Sequence, residues 1–360
     1  MKKTLPKPKL FLIGSIILFT VSIAQITFNL AKINQTAYLL DFKVYYLAAQ
    51  EFTKGNNPYQ TTYVNIPFNY PPGVLPILWL FTLLPFSVSQ TIFTLISFLT
   101  FYLSLYLIIK ITKIPLSLPF TLTLFAFLTQ TFPVKFTLAM GQINHIALFL
   151  TILSLYLSNQ SKKFSSALTL ALAATTKIFP LALLPIFFIR KQYHYVITSF
   201  SLFLLINLFK PSLFTHYFFS LIPSFFISIS TNNFYDQSLK SLFLRLGLTT
   251  PIIALIISLT LYFAIILATR KSTLSRAFII LLALLPLTTP VAWQHQLVFA
   301  YPLILAYYYR LPAFFLIWIP LAFHFSPGNQ ILDTLPVIAS YQTLLILVLV
   351  FHSTITSLKN

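Results

Sequence analysis

The sequence predicts an all-α integral membrane protein, a polytopic helical bundle, on three observations. Hydrophobic residues make up 58% of the 360 and charged residues only 8%, where a soluble domain carries about 25% charged residues to face water. Long apolar runs, rich in Leu, Ile and the 39 Phe, recur along the whole chain. Most Lys and Arg sit in twos and threes between those runs, where the positive-inside rule places them. The net charge of +19 reflects a near absence of acids, namely Asp41, Glu51, Asp236 and Asp333. It does not describe a nucleic-acid patch, and no nucleic-acid partner is expected. With no Cys, disulfides, thiol catalysis and Cys-metal sites drop out. The 23 Pro suit broken or kinked transmembrane helices, where neighbours and waters satisfy the freed backbone groups.

The first apolar run, 10–31, exceeds the roughly 20 residues needed to span a bilayer. It is longer than a signal-peptide core and shows no small-x-small cleavage site, so it is expected to be a retained first helix with its N-terminus inside. The segment 32–70 is the first external loop. Within it, 41–54 reads as an amphipathic helix lying along the membrane surface: Asp41 at its start, Val44, Tyr45, Leu47, Ala48 and Phe52 on one side, Gly55 at its end. Glu51 is placed to pair with Lys54.

Apolar segments follow at about 71–85, 88–109, 117–133, 142–158, 164–176, 178–189, 194–210, 251–269, 276–290, 295–309, 311–323 and 335–357. Several are too short for a perpendicular crossing of about 30 Å of hydrocarbon. Lys162-Lys163, Arg190-Lys191, Arg270-Lys271 with Arg276, Arg310 and Lys359 read as cytoplasmic. Both termini are then inside, and 211–240, the Trp293 region and 324–334 outside. Thirteen segments with both termini inside is a parity conflict, so one segment among 71–85, 88–109 and 117–133 does not cross. About 12 transmembrane helices in one domain, 1–360, is the expectation.

Polar residues within such a chain are expensive and therefore informative. They gather on the predicted external side in five clusters. These are Asp41-Phe42-Lys43-Val44-Tyr45-Tyr46 through Asn56-Asn57-Pro58-Tyr59 to Tyr70-Pro71-Pro72; Gly141-Gln142-Ile143-Asn144-His145; Lys177 with Pro180; Asn232 to Leu239 with Arg245; and Pro290 to Gln296, which holds Trp293 and His295. No grouping of carboxylates suggests a divalent metal site, and no Gly-rich phosphate loop suggests a nucleotide-sugar donor.

These clusters, in this order, resemble glycosyltransferase family 87. The similarity rests on an Asp followed by Val-Tyr-Tyr, an Asn-Pro-Tyr, Tyr-Pro-Pro, Gly-Gln-x-Asn, a Lys before Phe-Pro, Gln-Ser-Leu followed by an Arg, and Pro-x-x-Trp-x-His. It runs from about Asp41 to His295. The resemblance implies a GT-C fold and transfer of a hexose, mostly mannose, from a polyprenyl-phosphate donor to a lipid or glycan acceptor on the extracytoplasmic side of the plasma membrane. It implies inversion at the sugar carbon, with Asp41 as general base; no cofactor is expected. Asp41 also fits a helix cap. Lys177 is expected at the donor phosphate, the alternative being a lysine snorkelling to the interface. His295 and Arg245 are further phosphate candidates, each with an interfacial anchor as the alternative; the family usually carries two histidines where this chain has Gln294-His295-Gln296. Tyr45, Tyr70, Gln142, Asn144, Gln237 and Trp293 are expected around the substrates, although Gln142 and Asn144 also suit a cap on the next helix. Two other readings stand beside this one, a transporter or flippase of lipid-linked glycans and a non-catalytic membrane scaffold. The loop-borne acids weigh against ion coupling, which needs carboxylates within helices.

Overall fold

The computed structural model describes residues 8–34, 40–60, 62–63, 66–227, 235–248, 250–310, 312–322 and 336–358. Lys2, Lys3, Lys7, Asn232 to Phe234, His324, Asp333 and Lys359 lie outside the described residues.

The described chain is helical apart from one hairpin of two-residue strands, β1 (Thr62–Tyr63) and β2 (Ile66–Pro67), antiparallel with Thr62 opposite Pro67. The first half holds α1 (Pro8–Asn34), α2 (Leu40–Thr53), α3 (Leu75–Thr82), α4 (Phe86–Thr112), α5 (Leu118–Thr129), α6 (Phe132–Met140), α7 (Asn144–Asn159), α8 (Lys163–Thr176) and α9 (Leu184–Ile189). Next come α10 (Tyr193–Asn207), α11 (Pro211–His216), α12 (Ile222–Ile227), α13 (Leu239–Arg245) and α14 (Pro251–Thr269). The last are α15 (Leu274–Thr288), α16 (Tyr301–Tyr307), α17 (Ala313–Ala322), α18 (Pro336–Ala339) and α19 (Tyr341–Leu358). Short 3-10 turns at Pro72–Val74, Phe179–Leu183 and Gln294–Ala300 lead into α3, α9 and α16.

Proline punctuates this order more than it kinks it. It occupies the first turn of α3, α5, α6, α9, α11, α14 and α16, where the missing N–H would have no helical partner anyway. Among the described helices, only Pro286 in α15 and Pro320 in α17 lie inside. The consequence is many short helices. Four are long and apolar enough to cross a membrane alone, namely α1, α4, α14 and α19, and the count reaches six if two bent pairs each make one span. One pair is α5 with α6, bent by 64°; the other runs from Tyr193 to Phe225, bent by 113°. The remaining apolar pieces are shorter, so the expected 12 crossings are not 12 continuous helices. α6, the turns within 211–227 and α13 are helical segments absent from the sequence reading. They arise where a Thr, Lys or Ser precedes a proline-led or serine-capped first turn.

α15 is buried on every side from Ala277 to Thr288, the mark of a central helix. It packs on α14, α16 and α19, while α4, α7 and α8 continue the same core. α1 and α14 present mostly exposed apolar faces, as lipid contact requires. A second core surrounds α2. Phe42, Val44, Tyr45, Ala48 and Ala49 are buried there against Phe68, Val74, Leu75, Leu78 and Phe93, and the Phe42 and Phe93 rings lie 4.6 Å apart. α2 is thus docked on protein along one side. The expected Lys54–Glu51 pair forms at 2.7 Å; exposed as it is, it contributes little stability.

Hydrogen bonds tie one end of the bundle together through basic and hydroxyl side chains. Asn159 meets Ser275, Arg190 caps the carbonyls of Thr269 and Ser272, and Arg276 reaches the Ser353 carbonyl and Thr356. The candidate site occupies a different set of turns.

Candidate active site

The site is assembled by four chain turns. The first is the start of α2. Asp41 lies in its first turn, and Gly55, in the left-handed region at φ 85°, ends the helix with Asn56 N–H donating to the Glu51 carbonyl. The second follows α6. Gly141 adopts φ 65°, its N–H donates to the Leu138 carbonyl, and the Gln142 N–H donates to the Thr137 carbonyl at 2.9 Å. This paired closure is the Schellman motif, which favours glycine at the left-handed position. It turns the chain so that Gln142 and Asn144 point into the protein. Neither caps α7, whose N-terminus has no side-chain cap.

Gln142 instead serves Asp41. Its carbonyl oxygen accepts from the hydroxyls of Tyr70 at 3.1 Å and Tyr45 at 3.2 Å, and those hydroxyls lie 2.6 Å from each other. That leaves the amide nitrogen to donate to the Asp41 carboxylate. Tyr70 is held in turn by the Tyr59 hydroxyl, which donates to its carbonyl at 2.7 Å. Asp41 is 9% exposed, nearly sealed but still reachable. Burial pushes its carboxyl up to about 6, against the opposing Gln142 hydrogen bond and the charge of Lys177. Desolvation wins because the charged form loses more hydration than one hydrogen bond and one cation return.

The third turn carries Lys177. α8 ends at Thr176, Lys177 is extended at φ −153°, and the 3-10 turn with Pro180 follows. The Lys177 ammonium donates to the Asn144 side-chain oxygen and lies within electrostatic reach of Asp41. It points inward, to a fully buried residue. The fourth turn is Gln294–Ala300. The His295 carbonyl accepts from Asn144 and from the Thr137 hydroxyl, each at 3.1 Å. The His295 ring is buried against the edge of Phe136, and its Nδ1 has no hydrogen-bond partner among the described residues.

One continuous network therefore gathers Asp41, Tyr45, Tyr70, Gln142, Asn144, Lys177 and the backbone of His295. Arg245, Gln237 and Trp293 belong to an adjoining one. Asp236 and Trp293 form an antiparallel bridge, in which Gln237 N–H donates to the Ala292 carbonyl at 2.7 Å. The Asp236 carboxylate accepts from the Ser238 and Ala292 N–H groups, both at 2.9 Å. Arg245 donates to the Asp236 carbonyl and to Ser340, each at 2.8 Å, and the Gln237 amide donates to the Ala339 carbonyl at 3.0 Å. These contacts fasten α13 and the 290–295 segment to α18 and α19. The two networks are joined along the backbone from Ala292 to His295 and through Phe136, whose ring meets those of Tyr235 and His295.

Two members were missed in the sequence. Asp236 was named without a role, though an acid in a chain with four is itself a signal. Asn207, at the end of an apolar segment, accepts from the Gly73 N–H at 2.9 Å and donates to Thr175 at 3.1 Å. It thereby joins the Tyr70-Pro71-Pro72 turn to the last turn before Lys177. No group of three or more His, Asp and Glu able to hold a metal occurs among the described residues.

An almost wholly helical chain with several spans of this apolarity is a multi-pass membrane protein, and the charge of its half-buried Lys177 reaches the buried Asp41 at the helix turns. Residues 68–290, more than half of the chain, match the profile of glycosyltransferase family 87, and the protein belongs to that family. A search of curated proteins finds no match. The matched span includes Tyr70, Gln142, Asn144, Lys177, Gln237 and Arg245; Asp41, Tyr45, Trp293 and His295 lie outside it and reach it through the contacts above.

Proposed function

We propose that this protein transfers a hexose, mannose first among the candidates, from a polyprenyl-phosphate donor to a lipid or glycan acceptor on the extracytoplasmic side of the plasma membrane. Asp41 is the general base. It takes the proton of an acceptor hydroxyl, the acceptor oxygen bonds to the anomeric carbon from the face opposite the phosphate, and the phosphate departs with the bonding electron pair. The product has inverted configuration. Lys177 stabilises the charge that grows on the leaving phosphate. His295 is a second contact to that phosphate, and Arg245, Gln237 and the Asp236–Trp293 bridge shape the wall behind it.

The single observation that carries this reading is the pairing of a nearly sealed Asp41, with its carboxyl raised to about 6, and an inward-pointing Lys177 held by Asn144. A base works best when its pKa approaches the operating pH, and a leaving phosphate needs a cation beside it.

The orientation follows the charges. α3 has eight residues, about 12 Å of helix, and cannot cross a core of about 30 Å. If α3 is the segment that does not cross, twelve apolar segments remain. Both termini then lie in the cytoplasm with the Arg190, Arg270 and Arg276 turns, and the Asp41 turns lie outside. The reading is tested by incubating purified protein with synthetic polyprenyl-phosphate mannose or with a nucleotide-linked mannose and a membrane-lipid extract. The lipid-linked donor alone is expected to give mannosylated product with inverted anomeric configuration. Transfer from the nucleotide-linked sugar alone would contradict it.

A further inference from the structure

A groove of about 390 Å³ lies between α9, α10 and α14, outside the candidate active site. Leu184, Phe188 and Ile189 of α9, Val196 of α10, and Phe263 and Leu267 of α14 line it, and every lining side chain is apolar. Phe188, Ile189, Phe263 and Leu267 are exposed, so the groove is open along the side of the bundle. The Tyr262 hydroxyl donates to the Ala182 carbonyl, which joins α14 to the turn before α9 and fixes the spacing of the two walls.

One end of the groove is basic. α9 runs into Arg190-Lys191 directly after Ile189, and α14 runs into Arg270-Lys271 three residues after Leu267. Arg190 draws these two ends together. Its guanidinium donates to the Thr269 carbonyl at 3.2 Å and the Ser272 carbonyl at 2.7 Å, on either side of Arg270-Lys271. Lys191, in the left-handed region at φ 59°, closes α9, with its N–H on the Phe188 carbonyl at 2.9 Å and the Gln192 N–H on the Phe187 carbonyl at 3.0 Å. The chain then turns back as α10. Four cations therefore share one corner, and the carbonyls at the ends of α9 and α14 offset them only with partial charge. No carboxylate does so. None of Asp41, Glu51, Asp236 and Asp333 lies on α9, α10 or α14 or in the 190–192 and 270–273 turns. Among the described residues the only ion pair is Lys54–Glu51.

We propose that this groove binds a phospholipid with an anionic headgroup, its acyl chain along α9, α10 and α14 and its phosphate at the corner of Arg190-Lys191 and Arg270-Lys271. Basic pockets between helices at the end of membrane spans select net-negative headgroups. The wholly apolar walls take an acyl chain, which a free phosphate lacks. The lipid braces α9 against α14, and α9 follows Lys177 through the turn Phe179–Leu183. It takes no part in the transfer, so this proposal stands or falls apart from the proposed function.

Native mass spectrometry of the full-length protein tests it, with phosphatidylglycerol and phosphatidylcholine of equal chain length offered at equal concentration. Wild type is expected to retain the anionic lipid at least about fivefold over the zwitterionic one, and excess glycerol phosphate is expected not to displace it. Arg270→Gln with Lys271→Gln is expected to lose the preference, and Leu267→Trp, which fills the groove, to lose the retained lipid. Lys110→Gln with Lys113→Gln, which removes two exposed cations at the end of α4, is expected to keep both. Equal retention of the two lipids, a preference that survives loss of Arg270 and Lys271, or retention unchanged in Leu267→Trp overturns the proposal. So does displacement by glycerol phosphate, or an equal loss in the Lys110 and Lys113 variant, which would leave the corner as an ordinary charged end of the bundle.

Discussion

Gln142 donates its side-chain amide to the carboxylate of Asp41, and its position is fixed from the far side by two tyrosine hydroxyls. The contact joins the first turn of α2 to the turn after α6, two places separated by the whole of α3, α4, α5 and α6.

That contact sets the pH response. A base must be deprotonated to act, so kcat/KM is expected to rise about tenfold per pH unit below an apparent pKa near 6 and to level off above it. A profile measured from pH 4.5 to 8 checks this. A midpoint near 4, that of an ordinary exposed carboxylate, would mean that Asp41 is not the titrating base.

Gln142→Leu removes a hydrogen bond that favours the charged carboxylate. The Asp41 pKa therefore rises further, and the acid limb is expected to move up by about one pH unit, the equivalent of a hydrogen bond to a charged group. The rate on the plateau falls less than in any Asp41 variant. A limb that stays in place would show that Gln142 does not act on Asp41.

Lys177→Gln is expected to lower kcat by about 100-fold or more through lost stabilisation of the departing phosphate. Asn144→Leu, which leaves the lysine in place without its acceptor, should show part of the same loss. It also strands the Lys177 ammonium, at a cost of about 1–3 kcal/mol of stability, visible as a lower Tm in detergent.

Arg245→Gln separates two roles. The guanidinium binds the Asp236 carbonyl and Ser340, so the variant should lower Tm while changing the KM for donor by less than about twofold. A large rise in donor KM without loss of Tm would instead place Arg245 at the donor phosphate.

The junction that carries Tyr70 and Lys177 is tightly built. A Cβ on Gly73 would come within 2.9 Å of the Ile206 backbone carbonyl and 2.8 Å of the Ile206 side chain. Gly73→Ala is expected to destabilise by about 1–3 kcal/mol, measurable by thermal unfolding, and to lower the fraction of active protein.

Much of this was legible in the sequence because membranes make polar residues conspicuous. The order of the apolar segments, the helix at α2 and the polar turns holding Asp41, Gln142, Asn144, Lys177 and His295 all followed from hydropathy and spacing. What spacing could not supply was direction. From the sequence, Gln142 and Asn144 suited a helix cap better than a place in the site. Only the left-handed turn at Gly141 aims them inward, and whether a glycine ends a helix that way depends on what the next residues find to bind. The bend between α5 and α6 was hidden because Thr131 and Gln130 interrupt an otherwise continuous apolar run too weakly to mark a break. The contacts of Arg245 with Ser340 and the Asp236 carbonyl were not legible, because a distant hydroxyl and a backbone group carry no sequence signature.

The most direct measurement is turnover by Asp41→Asn, purified and shown to keep the wild-type Tm, with polyprenyl-phosphate mannose as donor. Asn keeps the shape and can still pair with Gln142, but it cannot take a proton. Loss of at least about 100-fold in kcat with little change in donor KM is the predicted result. Turnover at the wild-type rate would contradict the assignment of Asp41 as the base and, with it, the mechanism drawn from this site.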